Sequence, residues 1–457
     1  MSDLHQKTLA ALLALVVAAR WAAAAESGSS EADSKAELQS VRTLLEQVKA
    51  QEQALERKQE VLEQKEQQRQ AIGQVLDDAD RHSKWLAAKN LTAGFVSGRG
   101  FFLASEDGNF LLHPWLQFQF RYATAYRQSI ARNTDDTQSG FEVRRLKFGA
   151  DGNLFSPNLT YQFQFAVDRH TGSVGLEMAW VKYRIDHSPF AIRAGQFKDP
   201  LDHEQLAASR FFPTIDRSFV NDQFANAEGF VKGVSAIYDP GTWVRAEAAV
   251  TGGLKNSNTN FQPFPTNPAS WGAAARAEFK PFGEWKDYER ISAYGITRRS
   301  LVFGFGSDYT EAGHASSFTH VADVQYQSTN GWSLYAAYLG RYNRGLSPKN
   351  SRSKLSVDTY DPTVRFQASY AFDRHWEPYG RFEYVHYDSR EFAAGTQTNV
   401  QVITAGLNYY LYGQAAKVSF DLNYLPNGSP VADDGFGLLA DNRHNELVGR
   451  AQLQVVF

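Results

Sequence analysis

The sequence predicts an all-β protein, a 16-stranded antiparallel transmembrane β-barrel preceded by an α-helical coiled-coil segment. Three observations carry this expectation. From about residue 110 onward, apolar and polar residues alternate with a period of two in segments about ten residues long, as in Tyr161, Phe163, Phe165 and Val167 against Gln162, Gln164, Ala166 and Asp168. The connections between these segments are mostly short and long in turn. Residues 31–87 have a different composition, rich in Glu, Gln, Lys, Ala and Leu and free of proline.

The first element is residues 1–25. Lys7 precedes an apolar run from Leu9 to Ala19, and small residues follow at Ala22–Ala25, the pattern of a bacterial secretory signal. Arg20 and Trp21 interrupt it, and a short buried helix is the alternative. The chain has no cysteine, which excludes disulfides and thiolate metal or redox sites.

The second element is residues 31–87. Leu38, Val41, Leu45 and Val48 fall at alternating spacings of three and four, and the register continues through Leu55, Leu62 and Leu76. The intervening core positions are Glu52, Gln59, Glu66 and Gly73, so the coiled coil is short and imperfect. Its apolar stripe would be buried by oligomerisation; a solvated single helix or a flexible arm is the alternative.

The third element is the barrel, 95–457. Strands are expected at 110–126, 140–152, 159–168, 174–185, 190–198, 229–239, 243–253, 268–282, 300–311, 316–329, 332–344, 364–376, 378–389, 398–412, 415–427 and 444–457. Short turns are expected at 186–189, 239–242, 328–331 and 413–414, and long loops at 127–139, 199–228, 254–267, 345–363 and 428–443. An even strand number puts both barrel ends on one side, the periplasm, with the coiled coil. Segment 283–299 stands where a short turn belongs and is not short. Aromatic residues near segment ends suit interfacial girdles, and this strand number leaves an aqueous lumen. A soluble sandwich would need a second sheet over the apolar face and no alternation of turn lengths.

No G-x-S-x-G, H-E-x-x-H or P-loop occurs, and His82, His113, His203, His314 and His444 show no ligand spacing. The reading is therefore a non-enzyme with no cofactor and no metal. No basic run suggests a nucleic-acid partner, and the net charge is −3, with opposite charges balanced across the barrel region. Any preference for one sign of ion must then come from charges placed at a constriction. Loop 199–228 is the expected constriction. Its apolar Phe211, Phe212, Pro213 and Ile215 would pack on the inner wall and aim Arg210 and Arg217 into the pore. An external loop with ordinary surface arginines is the alternative.

In EVRRLKFG at 142–149 the apolar phase slips. Phe141 and Val143 precede the two arginines, and Leu146, Phe148 and Ala150 follow. Regular pairing would press Arg145 into lipid at about 2–4 kcal/mol near the midplane. A β-bulge at 144–145 would let both arginines face water.

The runs GFEVRRLKFGADG (140–152), RAGQFKDP (193–200), EQLAASRFF (204–212) and DRS (216–218), with the terminal Phe457, resemble the phosphate-selective porin family of the O/P type. The resemblance implies a trimeric outer-membrane porin with an arginine-lined anion pathway. Arg144 and Arg145 match the family's paired arginine, and Ser209, Arg210, Asp216, Arg217 and Ser218 match its inward loop. Ala208 stands where the family has a serine, which removes one hydroxyl donor. The terminal Phe resembles an assembly signal of outer-membrane barrels.

The expected site is therefore Arg144, Arg145, Ser209, Arg210 and Arg217, with Lys147, Lys182, Arg184, Arg193 and Lys198 as further pore-lining residues. The expected function is diffusion of phosphate or other small anions. The expected partners are outer-membrane lipid, a homotrimer and a peptidoglycan contact. The alternatives are a general or sugar-type porin on the same scaffold and a non-conducting outer-membrane tether.

Overall fold

The computed structural model describes residues 91–96, 100–127, 137–225, 229–254, 269–346, 356–431, 433, 435–438 and 444–457. The expected signal (1–25) and coiled coil (31–87) lie outside the described residues. The chain divides into Met1–Lys89 and Asn90–Phe457, and all the described residues belong to the second unit.

A small hairpin comes first, β1 (Leu91–Val96) and β2 (Gly100–Ser105). The barrel proper is β3 (Leu111–Arg127), β4 (Thr137–Leu154), β5 (Ser156–Val167), β6 (Val174–Arg184), β7 (Phe190–Lys198), β8 (Phe230–Tyr238), β9 (Val244–Thr251), β10 (Trp271–Phe282), β11 (Ser300–Ala312), β12 (Ala315–Gln327), β13 (Trp332–Leu346), β14 (Val357–Tyr370), β15 (Trp376–His386), β16 (Asn399–Tyr410), β17 (Ala416–Leu425) and β18 (Glu446–Val456). Each barrel strand pairs antiparallel with the next, and β18 returns to β3, so sixteen strands close with no free edge. Leu116 and Phe457 exchange backbone hydrogen bonds of 2.7 and 3.0 Å at this seam.

The period-two pattern builds the wall. On β3, Gln117, Gln119 and Arg121 turn inward and are buried, while Phe120 and Tyr122 face outward and are exposed. Along most of the wall the exposed large side chains are apolar, as a lipid-facing surface requires. No helix among the described residues is long and apolar enough to cross a membrane.

Two expectations about elements need correction. β14 begins at Val357, not at 364. Its first residues, VDTYDPT, read as a loop because Asp and Pro are poor strand formers, but Thr359, Asp361 and Thr363 face the polar lumen and Tyr360 faces out. The β1–β2 hairpin was not expected at all. It joins β2 to the start of β3 through Leu103–Leu112 and Ala104–Leu111.

The hydrophobic core sits inside the barrel. The long connection after β7 folds inward over residues 199–225 as a helical turn (His203–Leu206), a tighter turn (Ser209–Phe211) and a short helix (Phe219–Phe224). Ser218 caps that helix by accepting from the Asn221 amide at 3.0 Å. Leu201, Phe212, Phe219, Val220 and Phe224 are buried against Leu339, Val385, Val400, Val402 and Val448 of the wall. β11 lets the loop approach by presenting glycine, since a Cβ on Gly306 would stand 1.9 Å from the Leu201 carbonyl oxygen.

Segment 283–299 enters from the opposite end, the end of the short turns. Tyr288, Ile291, Ser292 and Ala293 are buried there. The Gln327 amide donates to the carbonyls of Arg290 and Ser292, each at 2.8 Å. Its unexpected length is thus explained by a second inward excursion.

Candidate functional site

The site grows from the bulge in β4. Gln119 pairs with Arg145 and Phe120 with Val143, so Arg144 is the extra residue. Phe141 stays 73% exposed on the outer face, while Arg145 is 7% exposed and faces the lumen. Both arginines reach Asp216 on the inward loop, Arg144 at 3.2 Å and Arg145 at 2.7 Å. The wall adds Arg121 at 2.5 Å and Arg450 at 3.3 Å to the same carboxylate. Burial opposes the charge of Asp216, which lies in the loop and outside the spanning strands, but Arg144, Arg145, Arg121 and Arg450 hold its carboxyl well below the usual carboxylate range.

The rest of the loop is fixed to one side of the lumen. Arg365 binds Asp202 at 2.5 Å and Glu204 at 2.6 Å. The Asn408 amide donates to the Pro213 carbonyl at 2.7 Å, and Lys417 donates to the Phe212 carbonyl at 2.5 Å. The Val220 amide donates to Glu383 at 2.9 Å. Arg217 is turned back onto its own loop, donating to the carbonyls of Glu204 at 3.2 Å and Ala207 at 3.0 Å.

This arrangement leaves open space along β3–β7, divided into two chambers. The chamber toward the long loops, about 500 Å³, is lined by Arg144, Arg145, Lys147, Arg169, Arg217 and Asp222, among others. The chamber toward the short turns, about 340 Å³, is lined by Lys147, Arg193, Lys198, Ser209, Arg210 and Arg217 beside Trp115 and Trp180. Lys147 and Arg217 border both, so they stand where the chambers adjoin. Lys147 forms an ion pair with Glu177 at 2.9 Å.

All five expected constriction residues therefore line this space, Arg144 and Arg145 on one side of the junction, Ser209 and Arg210 on the other, and Arg217 on both. Of the further residues, Lys147, Arg193 and Lys198 line the second chamber, whereas Lys182 and Arg184 line neither. Arg193 is paired with Glu247, and the Lys198 ammonium donates to the carbonyls of Leu206 and Ala207. The loop anchors Arg121, Arg365, Asn408, Lys417 and Arg450 are not among the site residues expected from the sequence. Their inward parity was legible, but their partner loop was not.

Residues 116–295 match the sequence model of a family described as phosphate-selective porin O and P. Comparison with curated protein sequences gives no match. Among solved structures, the chain is similar to an anion-selective porin from Comamonas acidovorans, at 9% identity and a TM-score of 0.53, over 76% of this chain and 99% of that one. It is also similar to OmpF of Salmonella typhi in complex with daunomycin, at 11% identity and a TM-score of 0.50, over 77% and 99%. OmpT of Vibrio cholerae gives 8% identity and a TM-score of 0.50, over 76% and 98%. At these identities the structural likeness establishes the barrel fold. The family match adds to this over its own span: residues 116–295, which hold the arginine pair, the inward loop and segment 283–295, are similar to the phosphate-selective porin O and P family.

Proposed function

We propose that the protein passes phosphate and similar small anions by diffusion across the bacterial outer membrane. The observation that carries this reading is the junction of the two chambers, bordered by Lys147 and Arg217 with Arg144, Arg145 and Arg210 close on either side. Fixed cations in a narrow, partly desolvated passage lower the barrier for an anion and raise it for a cation. Guanidinium groups stay charged at any working pH and offer several donors to an oxyanion. Most of these cations already have protein partners, so an anion shares them rather than binding tightly, which favours its release.

Residues 1–25 would direct export, and the coiled coil 31–87 would lie in the periplasm and support a homotrimer, with a contact to peptidoglycan as its further role. The balanced lumen charge also favours a second reading, a general or sugar-type porin on the same scaffold. Reversal potentials in asymmetric KCl separate the two. The anion reading expects chloride to be preferred over potassium in the wild type and Lys147→Gln to reduce the permeability ratio by roughly threefold. A wild type that prefers cations or neither ion would overturn it.

A further inference from the structure

The two chambers of the lumen differ in chemistry. The one toward the long loops has no aromatic side chain in its lining. The one toward the short turns has three large rings, Trp115, Trp180 and Phe211, together with Met178. These rings come from three separate elements, β3, β6 and the tight turn of the inward loop. Trp115 is seated against β4, where glycine makes room for it: a Cβ on Gly149 would stand 2.9 Å from the indole Cζ2. Trp115 is buried, whereas Trp180 and Phe211 are half-buried and keep more of their surface open.

Cations stand beside the rings. The guanidinium carbon of Arg210 lies 4.9 Å from the Phe211 centroid and 5.6 Å from the Trp115 centroid, and that of Arg193 lies 5.9 Å from the Trp180 centroid. Their charge is partly offset. Arg193 is paired with Glu247, Arg245 with Glu278 and Lys147 with Glu177. Asp151 and Glu289 act on Arg210 through space, and Glu289 is shared among Arg245, Arg290 and Arg210. This balance leaves little net charge for a dianion, and a hydrated inorganic ion gains nothing from an indole or phenyl surface. An organic monoanion gains from both features, its carboxylate from a guanidinium and its flat apolar body from the rings. The chamber volume of about 340 Å³ is that of a small-molecule site, where aromatic walls and a few polar groups are the usual lining.

We propose that the chamber toward the short turns is a binding site for aromatic carboxylates, the ring of the solute meeting Trp180 and Phe211 and its carboxylate meeting Arg210. The site rests on the anion reading above for its charge and adds to it a class of organic solute. The test is block of the single-channel chloride current by sodium benzoate and by sodium acetate, two carboxylates of equal charge that differ in the ring. Wild type should be blocked by benzoate at about a tenfold lower concentration than by acetate, the gain expected for burying a phenyl group in place of a methyl. Trp180→Leu and Phe211→Leu should each narrow that ratio about threefold, the share of one ring contact.

Trp332→Leu, which removes an exposed ring from the lipid-facing wall, should keep the wild-type ratio. Heat-dependent electrophoretic mobility checks that each variant forms the barrel, and if one lumen variant does not, the other decides. Equal block by the two carboxylates in wild type, a ratio unchanged in the folded lumen variants, or an equal fall in Trp332→Leu overturns the site. The anion reading stands or falls separately, on the wild-type reversal potential in KCl alone.

Discussion

At the scale of the residue, Asp216 joins the inward loop to the barrel wall. Four arginines meet its carboxylate, and two of them are the adjacent pair in β4 that sequence alone suggested as ligands for a solute. The pair was legible because the apolar phase slips across it. Its acidic partner was not, because Asp216 is 71 residues from Arg145 in sequence and nothing local links them. A buried carboxylate facing several guanidiniums is costly to remove, about 3–5 kcal/mol when one partner of a buried pair is lost, since the remaining charges stay desolvated and repel. Asp216→Asn should therefore leave the barrel intact but release the loop from the β3–β4 wall. Trypsin should then cut after Arg210 or Arg217 in the folded variant and not in wild type, and single-channel conductance should rise. An uncut loop with unchanged conductance would show that Arg365 and the backbone anchors suffice.

At the scale of the element, the period-two pattern located nearly every strand, and β7 matches its expected bounds of 190–198. It failed where local composition and tertiary surroundings disagree. The start of β14 looks like a turn but faces a polar lumen, so its Asp and Thr residues are in place there. The inward segment 283–299 carries no periodicity, because its backbone is satisfied by Gln325 and Gln327 of the wall and not by a neighbouring strand. The bulge at Arg144 gives a sharp prediction about register. Deleting Arg144 removes the extra residue and leaves Val143 outward and Arg145 inward, so the barrel should still form with unshifted heat-dependent mobility. Inserting one alanine after Arg145 should reverse the phase of the rest of β4, turning Lys147 toward lipid at about 2–4 kcal/mol near the midplane and Phe148 toward water. Folding yields into lipid vesicles compare the two. Equal yields would mean that β4 tolerates either phase and that the bulge does not set it.

At the scale of the whole molecule, the lumen is asymmetric. One side of the wall is occupied by the loop and its anchors, where positive and negative side chains neutralise each other, as in Arg365 with Asp202 and Glu204 or Arg450 with Asp421. The open passage runs along the other side, where Lys147, Arg210 and Arg217 stand among fewer acids. The overall net charge of −3 hides this, because a sum over the chain weights a neutralised anchor and a pore cation alike. The barrel could therefore be read from alternation along the strands, but the polarity of the passage could not. A field set by a few local cations, and not by bulk charge, reaches only a short distance and is open to screening from the water-filled chambers. The Debye length falls from about 10 Å at 0.1 M salt to about 3 Å at 1 M. At 0.1 M a cation near the junction still acts across the adjoining chambers, whereas at 1 M it acts only on an ion in contact with it. The chloride preference measured by reversal potential should thus weaken by severalfold between 0.1 and 1 M KCl at a fixed concentration ratio, and Lys147→Gln should remove most of the difference between the two conditions. A preference that is equally strong at both ionic strengths would mean that selection occurs by direct contact at the junction, with the chamber cations adding nothing at a distance.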